Sequence, residues 1–398
     1  LQMISRHAFF FIVPLTLVLL QLIFALINPF NYYPLHVETV ILYILYIISL
    51  ISLVIVYRKT TFGIYLLNDN FDYDLRPVGR VLFWILIFSM LIVSFQQFYL
   101  KYSLGLSFQE LRNYFFFSGV SMTSKFGMFF LVVKGFQLFY FILFIFDIVR
   151  GRRKFIYKLY ILISVYLLFA VSLGSRTFIY EIFILFMAIF ISKNIKIKLS
   201  VAKLSFIIVF SLSSVILIVS RTETDFFEFL YIYLVSPVYF FSELIKNPVI
   251  VESDRYIGHS IMSLDWTVIG FYNLFFDSST QTLMSLYDPR ISTGAYLNDE
   301  GGINAFPTAI YYFALDFSYF FFVVIFISVR LTLNYIKRKS EPLLSIFVII
   351  LLFWFFIDSI RGNILNTPWF IVLIIMIAFR WSLIKRIYIK PQQFKTTK

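Results

Sequence analysis

No cysteine occurs among the 398 residues, which excludes both a disulfide framework and a thiolate metal site. Charge is scarce as well. Asp, Glu, Lys and Arg make up 14% of the chain, where a soluble domain carries about 25%. The three histidines, His7, His36 and His259, are too few and too scattered to build a metal centre. A Walker loop, a GxGxxG after a strand, an HExxH and a GxSxG are all missing, which removes the nucleotide-loop, zinc-protease and serine-hydrolase classes. No fixed-period repeat, low-complexity segment or separate soluble domain is visible.

What remains is apolar. The chain is 61% hydrophobic and 21% aromatic, with a mean hydropathy of +0.88, as in a polytopic membrane protein. A net charge of +13 could suit nucleic acid, but the basic residues fall in short clusters between apolar runs, the pattern of membrane loops. The abundant Phe and Tyr read as lipid-tolerant side chains rather than as a binding code. A spanning helix needs about 20 mostly apolar residues. Ten segments qualify: 8–28, 38–57, 79–100, 125–148, 156–173, 177–192, 203–220, 306–329, 342–358 and 367–384. The first reads as a retained helix, because no small-residue cleavage site follows it.

Loop charge sets the orientation, since cytoplasmic loops hold the excess Lys and Arg. Alternate loops hold most of the basic residues: Arg58 to Arg80, Arg150 to Lys158, Lys193 to Lys203, Arg330 to Lys339, and the tail from Arg380. Both termini are therefore expected in the cytoplasm. The organisation expected is seven spans in 1–220, a long outer loop in 221–305, and three spans with a basic tail in 306–398.

The long stretch from Arg221 to Ala305 is the anomaly, about 85 residues where other connections are short. Carboxylates outnumber basic residues in it. Within it, 226–245 is read as an interfacial or re-entrant helix pair, with Thr224 or Asp225 as N-cap and Pro237 as the break. Counting it as an eleventh span is the competing parse, and would reverse the sides of the Arg330–Lys339 cluster and the tail. Five charges lie in the outer half of the spans: Lys134, Arg176, Glu181, Arg221 and Asp316. Ionisable residues inside a span are costly and tend to face a cavity or one another. The long stretch adds Arg255, His259 and Arg290. Two readings of these arginines stay open, ordinary salt bridges and a pyrophosphate clamp, since Arg binds phosphate oxygens as a planar fork. The chain is read as offering no concentrated Asp cluster, such as DxD or DDxxD, to hold a metal, which favours arginine. Asp147, near the inner end of its span, reads as a structural partner of Arg150.

Several local patterns resemble the O-antigen polymerase (Wzy) family. They are Ser107 to Tyr114 after the third span, Gly174-Ser175-Arg176 entering the sixth, Asn304-Ala-Phe-Pro-Thr308 followed by Asp316-Phe317, and Arg290 with Gly301 after ten residues. Ser318 stands where the family's Asp-Phe-Gly has Gly. The resemblance implies a GT-C-like all-α polytopic integral membrane protein, with about ten spans and a large periplasmic loop containing short interfacial helices, in the bacterial inner membrane. It implies a metal-independent glycosyltransferase without cofactor. The donor and acceptor would be undecaprenyl-diphosphate-linked oligosaccharides in the membrane lipid, and a separate chain-length regulator protein would be a partner; nucleic acid is not one. On this reading Arg176, Arg221, Arg255, Arg290 and Lys134 bind diphosphate. His259 is the preferred candidate base, its unperturbed pKa lying near working pH, with the carboxylates Glu252, Asp254 and Asp265 near it in sequence as the alternatives. Glu181 and Asp316 orient the arginines, and Tyr256, Trp266, Tyr272 and Asn304 meet sugars. The rival readings are an O-antigen ligase, which usually has His where this chain has Asn304, and a flippase or transporter of the lipid-linked unit, which would show internal repeats.

Overall fold

The computed structural model describes residues 6–57, 71–105, 125–149, 154–172, 226–246, 308–338, 341–359 and 368–388, with single residues 268, 272 and 365. It is mostly helical. The helices are α1 (Arg6–Ile27), α2 (Val37–Tyr57), α3 (Pro77–Leu104), α4 (Lys125–Val149), α5 (Ile156–Ser172), α6 (Phe226–Lys246), α7 (Ala309–Phe317), α8 (Phe321–Arg338), α9 (Pro342–Asp358), α10 (Pro368–Ala378) and α11 (Arg380–Leu383). A 3-10 turn, Ser318–Phe320, joins α7 to α8. Among the described residues four stretches are long and apolar enough to cross a membrane: Phe10–Ile27, Val37–Tyr57, Pro77–Leu104 and Ala309–Ile336. The predicted spans 177–192 and 203–220 lie outside the described residues.

The helices are apolar on both faces, as a bilayer requires, and the burial pattern says which face meets protein. On α3 the residues Phe83, Leu86, Met90, Val93 and Gln97 are buried, while Trp84, Phe88, Ile92, Phe95 and Tyr99 are exposed. Both sets follow helical spacing, so one stripe packs and the other faces the lipid side. α4 differs, being buried on every side from Gln137 to Asp147. Phe83 of α3 packs edge-on against Tyr140 and Phe144, Phe141 meets Tyr166 of α5, and Phe139 stacks on Phe347 of α9 at 5.3 Å. Gly135 lets α10 approach, since a Cβ there would lie 2.6 Å from Val372 Cγ1.

The helices agree with an all-α membrane protein, and one added feature was not expected. β1 (Phe71–Leu75) and β2 (Ile384–Tyr388) form a two-stranded antiparallel clasp, with Asp72 opposite Ile387 and Leu75 opposite Ile384. Its alternation is that of a half-buried strand. Tyr73, Leu75 and Ile384 are buried on one face, with Tyr73 against Phe146 and Trp381. Asp72 and Asp74 lie on the other, where Lys154 comes within 3.8 and 3.4 Å of them and Arg80 within 3.5 Å of Asp74. The Arg76 N–H donates to Leu383 O at 2.8 Å, which seats α3 against α11. Nearby, the Arg380 guanidinium donates from two nitrogens to the two oxygens of Glu341, which precedes α9. Asp147 accepts the Phe155 N–H at 3.3 Å, while Arg150, its expected partner, lies outside the described residues.

The clasp gathers at one end of the bundle the basic segments that charge counting had grouped: Arg76 and Arg80, Lys154, and Arg380 to Arg386. Arg330 lies near Tyr57, at the same end of α2. At the opposite end are the α1–α2 connection, the start of α7 and the end of α9, where the Ala309 N–H donates to Ser359 O at 3.2 Å.

α6 corrects a second expectation, because the helix runs unbroken through Pro237. Proline removes one N–H and crowds the preceding turn, so nearby carbonyls need other donors. The Gln21 amide of α1 supplies one, donating to Leu234 O at 2.7 Å. The hydroxyls of Tyr231 and Tyr239 donate to Phe24 O and Ala25 O, and the His36 N–H donates to Ser242 Oγ. Phe241 packs on Tyr43 and Tyr311. These partners belong to the last turns of α1, the first turns of α2 and the start of α7. α6 therefore packs across the end of the α1–α2 hairpin that is opposite the clasp.

Two substitutions test this packing. A Cβ on Gly79 would lie 2.3 Å from Leu383 O, the acceptor of the Arg76 N–H. Gly79→Ala should destabilise the protein by about 1–3 kcal/mol, read as a lower melting temperature in detergent. Ser318, at φ 49° and ψ −141°, sits in backbone space that favours glycine. Relief of strain there outweighs the extra freedom gained by the unfolded chain, so Ser318→Gly should stabilise by about 1 kcal/mol. An unchanged or lower melting temperature would remove the strain.

Candidate functional site

Of the site residues read from the sequence, Lys134, Asp316 and Tyr272 are described. Arg176, Glu181, Arg221, Arg255, Tyr256, His259, Trp266, Arg290 and Asn304 lie outside the described residues. Lys134 sits on α4 with its Nζ 4.9 Å from the centre of the Trp369 ring, at the start of α10. Trp369 in turn packs on Trp354 of α9 at 5.1 Å. A lysine over an indole face in a low-dielectric setting gains about 2 kcal/mol. This explains how a charge is held in the span, and it locates Lys134 at the end of the bundle opposite the clasp. Tyr272 exposes half of its surface.

Asp316 is half-buried, near the end of α7. That helix starts inside the bundle and ends at its surface. Thr308, Ala309, Ile310 and Tyr311 are buried, whereas Tyr319 and Phe320 are exposed beyond the Ser318 turn. The Tyr319 hydroxyl donates to Glu38 in the first turn of α2 at 2.9 Å. Thr308 and Asp316, two positions of one sequence pattern, thus bracket a helix running from the interior outward. Ser318 takes a positive φ, a conformation that favours glycine.

Around the start of α7 lies a buried polar cluster that sequence reasoning did not single out. Gln21 accepts from the Tyr43 hydroxyl at 3.4 Å while donating to α6. The Tyr46 and Ser359 hydroxyls share a hydrogen bond of 2.7 Å. Thr308 is fully buried and precedes α7, yet its side chain makes no cap. It lies beside the Tyr43 hydroxyl, placed too loosely to close a good hydrogen bond. The signal available in the sequence was polar residues inside apolar runs: Gln21, Thr39, Gln137 and Thr308. Each alone is ordinary, and only the fold shows that Gln21, Tyr43 and Thr308 converge.

The chain does carry one DxD spacing, Asp72-Tyr73-Asp74, but at the clasp end. Both carboxylates lie against Lys154 there, and each accepts the N–H of the residue after it. Among the described residues no group of His, Asp and Glu is arranged to hold a metal ion. One end of the bundle is thus closed by paired charges. The other carries a lysine held on an indole, a buried hydroxyl–amide cluster and the helix that leads out of the long stretch. Compared with known proteins, the chain matches no family model, no curated protein and no solved structure.

Proposed function

We propose that this chain is a membrane glycosyltransferase that polymerises undecaprenyl-diphosphate-linked oligosaccharide repeat units at the periplasmic face of the bacterial inner membrane. The observation that carries the reading is the polarity of the bundle. Basic segments gather at the clasp end, the cytoplasmic end by the excess of Lys and Arg. Lys134, Asp316 and the polar cluster lie at the other. A parity argument supports ten spans. α5 starts at the clasp end and makes one crossing itself, and α7 starts at the opposite end, so the chain from the end of α5 to the start of α7 crosses an even number of times. Crossings at 177–192 and 203–220 satisfy this if α6 lies across the outer end; α6 as one further crossing does not.

In the proposed reaction a hydroxyl of the acceptor sugar attacks the anomeric carbon of the donor glycan. The new C–O bond forms as the bond to the diphosphate breaks, and undecaprenyl diphosphate leaves with the electron pair. The hydroxyl proton passes to a base, for which His259 is the candidate. Arg176, Arg221, Arg255 and Arg290, with Lys134, hold the two diphosphates, whose negative charge grows as the bond breaks and needs fixed cations. Glu181 and Asp316 orient the arginines. Tyr256, Trp266, Tyr272 and Asn304 contact the sugars. A chain-length regulator would act on the same periplasmic face.

Because the chain lacks cysteine, single introduced cysteines report sidedness cleanly. Tyr102→Cys and Phe320→Cys should react with a membrane-impermeant maleimide from the periplasm, and Ile387→Cys only after permeabilisation. The reverse pattern would turn the site to the wrong face. Purified protein given lipid-linked repeat units alone should extend them into a ladder of longer glycans. Transfer only to a lipid A core acceptor would indicate a ligase, and no new glycosidic bond a transporter. Arg176→Ala should reduce the ladder to single repeats, at least a hundredfold less polymer, with normal membrane levels of the protein. Long-chain polymer from that variant would dismiss the clamp at Arg176.

A further inference from the structure

α4 carries one polar side chain whose position no packing requirement explains. Gln137 is 1% exposed, and both of its amide atoms, Nε2 and Oε1, lack a hydrogen-bond partner. It opens the stretch of α4 that is buried on every side. A primary amide shut away from water with donors and acceptor both unfilled is destabilising, and a leucine of similar shape would fit without that cost. Lys134 is three residues earlier, hence adjacent on the helix surface. Gln137 lies roughly 200° round α4 from Gly135, the residue that admits α10. It shares its side of the helix with Tyr140 and Phe141, which pack on α3 and α5.

The chemistry of the missing partner follows from what is unfilled. A phosphate only accepts hydrogen bonds, so it would fill Nε2 and leave Oε1 bare. A cation would do the reverse. A hydroxyl donates and accepts at once, and neighbouring hydroxyls fill both atoms of one amide. The ammonium of Lys134, one turn nearer the opposite-to-clasp end, suits an anionic group attached to the same ligand. We propose that Gln137 and Lys134 form a subsite for a hydroxyl-bearing, anionic ligand: the sugar joined to the diphosphate of a lipid-linked glycan. The identity of the ligand rests on the polymerase reading, and the subsite adds Gln137 to it as a sugar-binding residue. An amide that weakens the empty protein and is filled by substrate is how a binding residue differs from a core residue.

Melting temperatures in nanodiscs test this, for wild type and Gln137→Leu, each alone, with lipid-linked repeat unit, and with glycan-free undecaprenyl diphosphate. Without ligand the variant should melt no lower than wild type. The lipid-linked repeat unit should raise the wild-type melting temperature, and the variant should show less than half of that shift. Glycan-free undecaprenyl diphosphate should shift both equally. Equal shifts with the repeat unit, no shift in either protein, or a variant less stable when empty would overturn the subsite and leave Gln137 as a structural residue with a bound water. Should the leucine variant fail to fold, Gln137→Met gives the same comparison. Polymer formation is scored separately. A Gln137-dependent shift in a protein that makes no polymer removes the proposed reaction and keeps the subsite, while polymer made with equal shifts does the opposite.

Discussion

The architecture depends on α4, which is enclosed by other helices from Gln137 to Asp147 and only half-buried just before, at Lys134 and Phe136. In a bilayer, helices gain little from hiding apolar surface, since lipid is as apolar as leucine; close packing and internally satisfied polar groups hold them together. α4 meets that requirement in four directions. Gly135 brings α10 to within van der Waals contact, and Phe139 stacks on α9. Phe141 meets α5, and the Tyr140 hydroxyl donates to Gly79 O of α3 at 2.7 Å. The last of these ties the core to the clasp, because Gly79 is also where α3 touches Leu383. The depth at which Lys134 and Gln137 sit is thus fixed by the same helix that fixes the bundle.

The clasp does at one end what packing does in the middle. Pairing 71–75 with 384–388 brings together segments more than 300 residues apart in sequence. The carboxylates of Asp72 and Asp74 then offset part of the basic charge collected there. Exposed pairs of this kind contribute little stability one by one. Their effect is on register: a slip of one residue would put Asp72 and Asp74 where Tyr73 and Leu75 are buried. Fixing this end also fixes the direction of every described helix leaving it.

The helices were legible in the sequence because a span leaves a mark about 20 residues long that needs no partner. The clasp was not, although Phe71-Asp-Tyr-Asp-Leu75 alternates as a strand should. Two such runs become a sheet only through a non-local pairing, and β2 was hidden in a tail already explained by its charge. Pro237 read correctly as a local defect and incorrectly as a break, since the donor that compensates for it, Gln21, lies on another helix. The positive φ at Ser318 was not legible, because serine carries no mark of a backbone conformation that favours glycine. For the site, the legible part was residue type. A lysine in an apolar run announces itself, but Trp369, which holds it, does not. Gln137 was silent, because an isolated glutamine in a span looks like any tolerated polar residue until its neighbours are known.

α7 joins these strands of the argument. Its nine residues are too few for a helix to persist on its own propensity. It is held instead by contacts from elsewhere: Ser359 O takes its first N–H, Tyr311 packs on Phe241, and Tyr319 beyond it reaches Glu38. It begins at a buried Thr308 whose hydroxyl makes no cap and ends at a strained Ser318. A segment built for stability alone would have a capping hydroxyl at its start and a glycine at its turn. This one has neither. It is also the first described element after the long stretch and carries Asp316. The missing cap is shared with α3, which starts at Arg76, and with α9, which starts after Glu341. The backbone strain is not shared with the clasp end: among the described residues Asn28, Asn31 and Ser318 hold positive φ without being glycine, and all three lie at the opposite end.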